Sequence, residues 1–279
     1  MLNVTEQFLY STVRIECTHL DGGISTGTGF FFRFLDDGQT NFPAIVTNKH
    51  VVEQAITGKI LMTLRDDDGN PINTEHLTIE LENFEHMWIF HPDPEVDICI
   101  MPLGPILEQA RSLQKNVFYV SLHRDLLPSA EELSQLRAIE NITMVGYPSG
   151  LWDRINNFPI IRRGITATHP NINYNGKEEI LIDAACFPGS SGSPVFIYDD
   201  NGYTTKDGNT HMGGSRVFLL GILYAGPQFT ARGEIAVMNI PGSPRPIPVS
   251  QIPMNLGCVI KSQKLLDFEE IILQNFQRQ

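Results

Sequence analysis

Basic residues are scarce: 20 Lys and Arg stand against 32 Asp and Glu, for a formal net charge of −12. Such a chain has no surplus cation to neutralise phosphates, and its largest local patch is the pair Arg162-Arg163. Nucleic acid is therefore not expected as the main partner. Cysteine is also sparse. The four, at positions 17, 99, 186 and 258, form no CxxC pair, so neither metal-ligand spacing nor a dense disulfide framework is present. Cys99 and Cys258 lie in apolar runs and are expected to be small buried hydrophobes. No apolar stretch approaches the roughly 18 residues of a membrane span, and MLNVTEQFLYSTVRIEC has no basic n-region followed by an apolar core. No signal peptide and no membrane contact are expected, and a reduced cytoplasmic location is. No internal repeat relates one part of the chain to another.

What is present describes an ordinary globular chain of 279 residues, 42% hydrophobic and 19% charged. Its 23 glycines and 18 prolines suit many turns and short strands. Strands are predicted at 12–17, 27–34, 43–47, 59–64, 77–81, 87–90 and 98–103, separated by turn signals such as Asp66-Asp67-Asp68-Gly69-Asn70-Pro71. Residues 104–139 change character, with helical segments at 105–113 and 129–136, the second opened by Ser129 as N-cap. Strands return at 142–146, 158–168, 179–183, 194–198, 217–224, 234–240 and 257–260, with a Pro-rich loop at 241–253. The tail from Ser262 places Leu265, Leu266, Phe268, Ile271, Ile272 and Phe276 near one helical face. The expected organisation is an N-terminal β-barrel (1–103), a connector (104–139), a C-terminal β-barrel (140–260) and a helix (261–279).

Three segments carry chemistry. In Asp183-Ala-Ala-Cys-Phe-Pro-Gly-Ser-Ser-Gly-Ser-Pro-Val-Phe, two glycines bracket a serine pair and Pro194 opens a strand. A nucleophilic serine needs such a turn, with backbone N–H groups free to meet an oxyanion. The same pattern is also a common surface turn. A GxSxG elbow is excluded, because position 193 is Ser and Pro194 opposes the helix that elbow requires. The strand Phe42-Pro-Ala-Ile-Val-Thr-Asn-Lys-His ends on His50, one of eight histidines. Asp97 immediately precedes the apolar run at 98–103, which would draw its carboxylate inward towards a partner; Asp93 and Glu95 are its nearby rivals.

The order His50, Asp97, Ser191, with gaps of 47 and 94 residues, resembles the chymotrypsin-like serine proteases. The closest likeness is to Deg/Htr-type bacterial members, through Thr26-Gly-Thr-Gly-Phe-Phe, Ile45-Val-Thr-Asn-Lys-His-Val-Val, Met144-Val-Gly-Tyr-Pro-Ser-Gly, Arg163-Gly-Ile-Thr-Ala, the serine segment and Gly221-Ile-Leu-Tyr-Ala-Gly. The resemblance implies an all-β fold of two six-stranded antiparallel barrels with the active site between them and a C-terminal helix. It implies a serine endopeptidase needing no metal or organic cofactor. His50 would be the base, Asp97 its orienting partner, Ser191 the nucleophile, and the backbone of Gly189, Ser190 and Ser191 the oxyanion hole.

Ala185, Cys186, Tyr224, Ala225 and Gly226 would form the substrate pocket. An alanine at the floor favours a small or medium apolar P1 residue, unless a different loop path brings Asp183 in. Three features depart from the family pattern. Ser193 stands where glycine is usual, Ser190 replaces the aspartate that anchors a newly cut N-terminus, and no PDZ module is expected. Protein or peptide substrates are implied, with regulatory partners sought at the connector and the Pro-rich loop. The competing reading is a silent or activator-dependent member acting as a binding module.

Overall fold

The structure, a computed structural model, describes residues 2–226, 228–232 and 249–277. The first half contains β1 (Thr12–His19), β2 (Ile24–Phe34), β3 (Phe42–Thr47), β4 (Ala55–Arg65), β5 (Pro71–Glu82), β6 (Ile89–Phe90), β7 (Cys99–Pro102) and β8 (Val117–Phe118). They form one antiparallel sheet in the order β5-β4-β1-β2-β3-β7-β6, with β8 on β4. Where six strands were expected in a closed barrel, this half has seven on that path and an eighth, β8, paired off it, among the described residues. One strand, β8, comes from the stretch read as a connector. The strand expected at 87–90 is shortened by a 3-10 turn at Phe84–Met87.

The second half contains β9 (Asn141–Gly146), β10 (Ile160–Thr166), β11 (Glu179–Asp183), β12 (Pro194–Asp199), β13 (Gly202–Thr204), β14 (Thr210–Met212), β15 (Arg216–Ala225), β16 (Gln228–Arg232), β17 (Val249–Pro253) and β18 (Leu256–Lys261). Six of them close a barrel, β10-β11-β18-β15-β12-β9, while β13-β14 and β16-β17 are separate hairpin pairs. The loop expected at 241–253 is thus a strand from Val249, paired with β16. The rest of that loop and the strand expected at 234–240 lie outside the described residues.

The helices are α1 (Val4–Tyr10), α2 (Lys49–Val52), α3 (Gly104–Ser112), α4 (Ala130–Gln135) and α5 (Asp267–Gln277). Ser129 caps α4 reciprocally: its hydroxyl accepts from the Glu132 N–H, and the Glu132 carboxylate accepts from the Ser129 N–H. Asn3 and Glu6 make the same box on α1, a helix absent from the sequence reading.

The pleat of β2 explains how the halves join. Successive side chains point to opposite faces, so Phe31 enters the core of the first sheet while Phe30, Phe32 and Phe34 face the other way. β3 and β7 divide likewise: Ile45, Cys99 and Met101 face the sheet core, and Val46, Ile100 and, just before β7, Ile98 face the second half. There they meet Phe196, Leu219, Ile222 and Ile260 of the barrel, and Leu265, Phe268 and Ile272 of the C-terminal helical tail. Each such fully buried side chain contributes about 1.5–3 kcal/mol. This shared layer fixes one half against the other.

Candidate active site

His50 rides on the single turn of α2 rather than on a bare strand end. Four bonds tie that turn to the loop before β7. The Asn48 Nδ2 donates to the Asp97 carbonyl at 2.6 Å, and the buried Lys49 Nζ donates to the Asp93 carbonyl at 2.8 Å. The backbone N–H of His50 donates to Asp97 Oδ1 at 3.2 Å. The imidazole Nδ1 lies 2.5 Å from Asp97 Oδ2. With Nδ1–H as the donor, Nε2 is left as the acceptor, the tautomer a general base needs. The rivals are engaged elsewhere: Asp93 Oδ1 caps the Glu95 N–H, and Glu95 pairs with Lys177 at 2.8 Å.

The serine segment forms a chain of turns. The Ser190 N–H donates to the Phe187 carbonyl at 3.0 Å, closing a turn with Pro188 and Gly189 at its centre. Proline holds φ negative and Gly189 has φ +82°, which makes this a type II turn. A side chain at Gly189 would also meet the Tyr147 carbonyl at 2.7 Å, so only glycine fits. The Pro188 carbonyl accepts from the Ser149 N–H at 2.5 Å. A trans amide sends its C=O and N–H in opposite directions, so the Gly189 N–H faces away from Ser149. Among the described residues, neither that N–H nor the Ser191 N–H donates to a protein acceptor.

Thr28 of β2 locks this segment to the first sheet. Its N–H donates to the Ser191 carbonyl at 2.9 Å. Its hydroxyl donates to the Gly189 carbonyl and accepts from the Tyr147 N–H, both at 3.0 Å. Its carbonyl accepts from Thr47 Oγ1 at 2.7 Å, one turn before His50. Gly192, at φ +85°, is pressed against the same carbonyl: an added Cβ would stand 1.9 Å from it. Ser193 is accommodated because its neighbour is Gly146, where a Cβ would collide with the Ser193 hydroxyl. The departure from glycine at 193 is thus absorbed by a glycine on β9.

Ser191 Oγ donates to the Tyr224 carbonyl at 3.2 Å, and no hydrogen bond joins it to His50 among the described residues. The structure therefore couples His50 to Asp97 and sets Ser191 on the adjoining loop with its hydroxyl turned aside. Beside it opens a cavity of about 330 Å³, walled by Cys186, Phe187, Pro188, Ser191, Leu223, Tyr224, Ala225 and Gly226. Cys186, Tyr224, Ala225 and Gly226 are where the sequence placed a pocket. Ala185 is not on this wall: its carbonyl accepts from Arg162 Nη1 at 2.5 Å, which holds the floor segment back against β10. Asp183 is exposed at the end of β11 and does not enter the cavity. Burial pushes the Cys186 thiol up to about 11, with Arg162 nearby opposing the shift, so the wall is neutral there. The Tyr224 hydroxyl is also pushed up, by burial and by donating to Glu179 Oε2 at 3.0 Å.

Sequence reasoning missed Thr28, Asn48, Ser149 and Arg162. Thr28 carried a signal, as a hydroxyl between two glycines at the entry to the apolar run Phe30-Phe31-Phe32; the others depend on contacts that no local pattern reports.

Comparison with curated proteins finds no significant match. Among solved structures, the crystal structure of the active form of the Rv3671c protease from M. tuberculosis aligns with a TM-score of 0.45 and 16% identity, covering 92% of this chain and 78% of that one. The profile of the trypsin-like peptidase domain family matches residues 27–203. That span is more than half of the chain, which belongs to the trypsin-like peptidase domain family and is a serine peptidase.

Proposed function

We propose that the protein is an endopeptidase in which His50, Asp97 and Ser191 form the catalytic triad. The observation that carries this reading is the paired hydrogen bonding of His50 to Asp97 beside a turn whose Gly189 and Ser191 N–H groups have no protein acceptor. His50 Nε2 would take the Ser191 proton and later protonate the leaving amine; Asp97 would hold the tautomer and stabilise the imidazolium. The two N–H groups would receive the oxyanion. Rotation about Ser191 χ1, breaking the bond to Tyr224, is the step that brings Oγ towards His50.

Among the described residues the cavity wall offers a P1 side chain no carboxylate, so burying a Lys or Arg there leaves its charge unpaired. A small or medium apolar P1 residue fits this wall. Protein substrates follow from the family. No helix of the described residues is long and apolar enough to cross a membrane. Four free thiols favour the reduced, cytoplasmic setting we propose. We take the two halves, connector and terminal helix as one protease domain.

One observation favours a second reading, a resting or silent enzyme: the Ser191 hydroxyl faces Tyr224 rather than His50. Labelling with a fluorophosphonate serine probe separates the two. Wild type is expected to label, and Ser191→Ala and His50→Ala are not. A folded wild type that stays unlabelled would replace the triad proposal with the second reading.

A further inference from the structure

β10 presents Arg162 to the back of the serine segment while its neighbours Ile161 and Arg163 are exposed. Arg162 Nη1 donates twice, to the Ala185 carbonyl at 2.5 Å and to Ser190 Oγ at 3.0 Å. Ser190 is buried, and its Oγ also accepts from the Phe187 N–H at 3.4 Å. One guanidinium nitrogen thus ties the segment entering the type II turn, at Ala185, to the last residue of that turn, Ser190. The remaining donors, Nε and Nη2, are buried without a hydrogen-bond partner among the described residues. Burial lowers the Arg162 pKa, as expected for a cation compensated by neutral acceptors alone. A cation kept in such a place costs stability. Its position points to what it holds.

We infer that Arg162 is the positioning residue of the oxyanion loop, an internal latch that keeps the Gly189 and Ser191 N–H groups aimed at the reacting carbonyl. The inference rests on the proposed role of Ser191 and deepens it. Position 190 has no carboxylate to receive a charged chain terminus, and the guanidinium of β10 occupies that side of the loop. The turn is held at three further points, by Ser149 on the Pro188 carbonyl, by Thr28 on the Gly189 carbonyl and by the Ser193 N–H on the Ser190 carbonyl at 3.0 Å. None of these reaches the Ser190 side chain or the floor at Ala185. Without Arg162 the holds on Ala185 and Ser190 would be released, leaving the 188–189 amide to the Ser149 bond alone, and it could turn over to the type I form. That flip would withdraw one oxyanion donor while leaving the cavity wall standing.

The test compares wild type, Arg162→Met and Arg162→Lys in the full chain, with thermal unfolding as the check on folding. Phosphonylation by the fluorophosphonate probe reads the loop directly, since its transition state carries charge on the phosphoryl oxygen. Loss of one donor costs on the order of 10²–10³, so partial misplacement in Arg162→Met is expected to slow phosphonylation and kcat by roughly 10- to 100-fold. KM for a peptide ester should change by less than about 3-fold, because the pocket persists. Arg162→Lys keeps one donor and should recover part of the rate. If Arg162→Met does not fold, Ser190→Ala carries the test, with phosphonylation slowed by about 10-fold expected. Wild-type rates in the folded variant, or an effect on KM alone, would overturn the latch. A wild type that does not label would instead overturn the triad reading, so the two failures are distinct.

Discussion

At the scale of single residues, the proposed specificity rests on what the cavity wall lacks. Cys186, Phe187, Leu223 and Ala225 supply apolar surface, and the nearby Arg162 guanidinium is of the wrong sign for a basic side chain. Cleavage of a randomised peptide library is expected after small or medium apolar residues, with Lys and Arg depleted by at least about 10-fold, the ratio of an unpaired buried charge costing more than 1.4 kcal/mol. Enrichment of Lys or Arg at P1 would refute this. The residues of the site differed in how readable they were. His50, Asp97 and Ser191, the proposed triad, stand in local patterns of strand, turn and glycine that a sequence displays. Ala185 lies off the cavity wall, and the contact that holds its segment comes from Arg162, 23 residues away. Adjacent arginines at 162 and 163 give no hint of which one turns inward.

At the scale of elements, periodicity and capping were legible and tertiary pairing was not. α4 begins where Ser129 and Glu132 announce it, and α5 buries Phe268 and Ile272 as the 3.6-residue pattern requires. Two-residue β6 and β8 are too short to carry a period, and their strand character comes from β7 and β4, which they pair with. α1 escaped notice for a similar reason: seven residues are marginal alone and need a surface to lie on. That surface is the barrel, where Phe8 stacks on Phe196 at 4.5 Å and meets Tyr198 edge-on at 5.7 Å. Phe8→Ala is expected to cost about 3–5 kcal/mol. Urea unfolding would show this as a lower midpoint at unchanged slope, and an unmoved midpoint would mean that α1 contributes nothing to the fold.

At the scale of the whole molecule, buried thiols tie stability to pH. Burial raises Cys17 from an ordinary 9.0 to about 12 and Cys186 to about 11, and Cys99 is raised well above 9.0. Above pH 9 the unfolded chain loses these protons while the folded chain keeps them. The folded state then binds more protons, so stability falls as pH rises; it is fully present below 9 and lost on passing the folded values. Urea unfolding between about pH 8 and pH 11 should show a falling free energy, its slope approaching about 1.4 kcal/mol per pH unit for each of Cys17 and Cys99. Replacing either with alanine should flatten the curve, and a flat wild-type curve would contradict the assigned burial.

The two halves meet at Thr28, whose hydroxyl reaches Gly189 across 161 positions of chain. Contacts of that span form late, after the entropy of closing so long a loop has been met. A nascent chain that has completed only its first sheet has the His50–Asp97 pair and no serine turn beside it. A chain in which the barrel alone has formed holds the serine segment with no strand beneath it. Under the proposed mechanism, the capacity to cut is a property of the finished molecule and of no intermediate on the way, which spares the chain's own unfolded segments, and its neighbours on the ribosome, from premature cleavage.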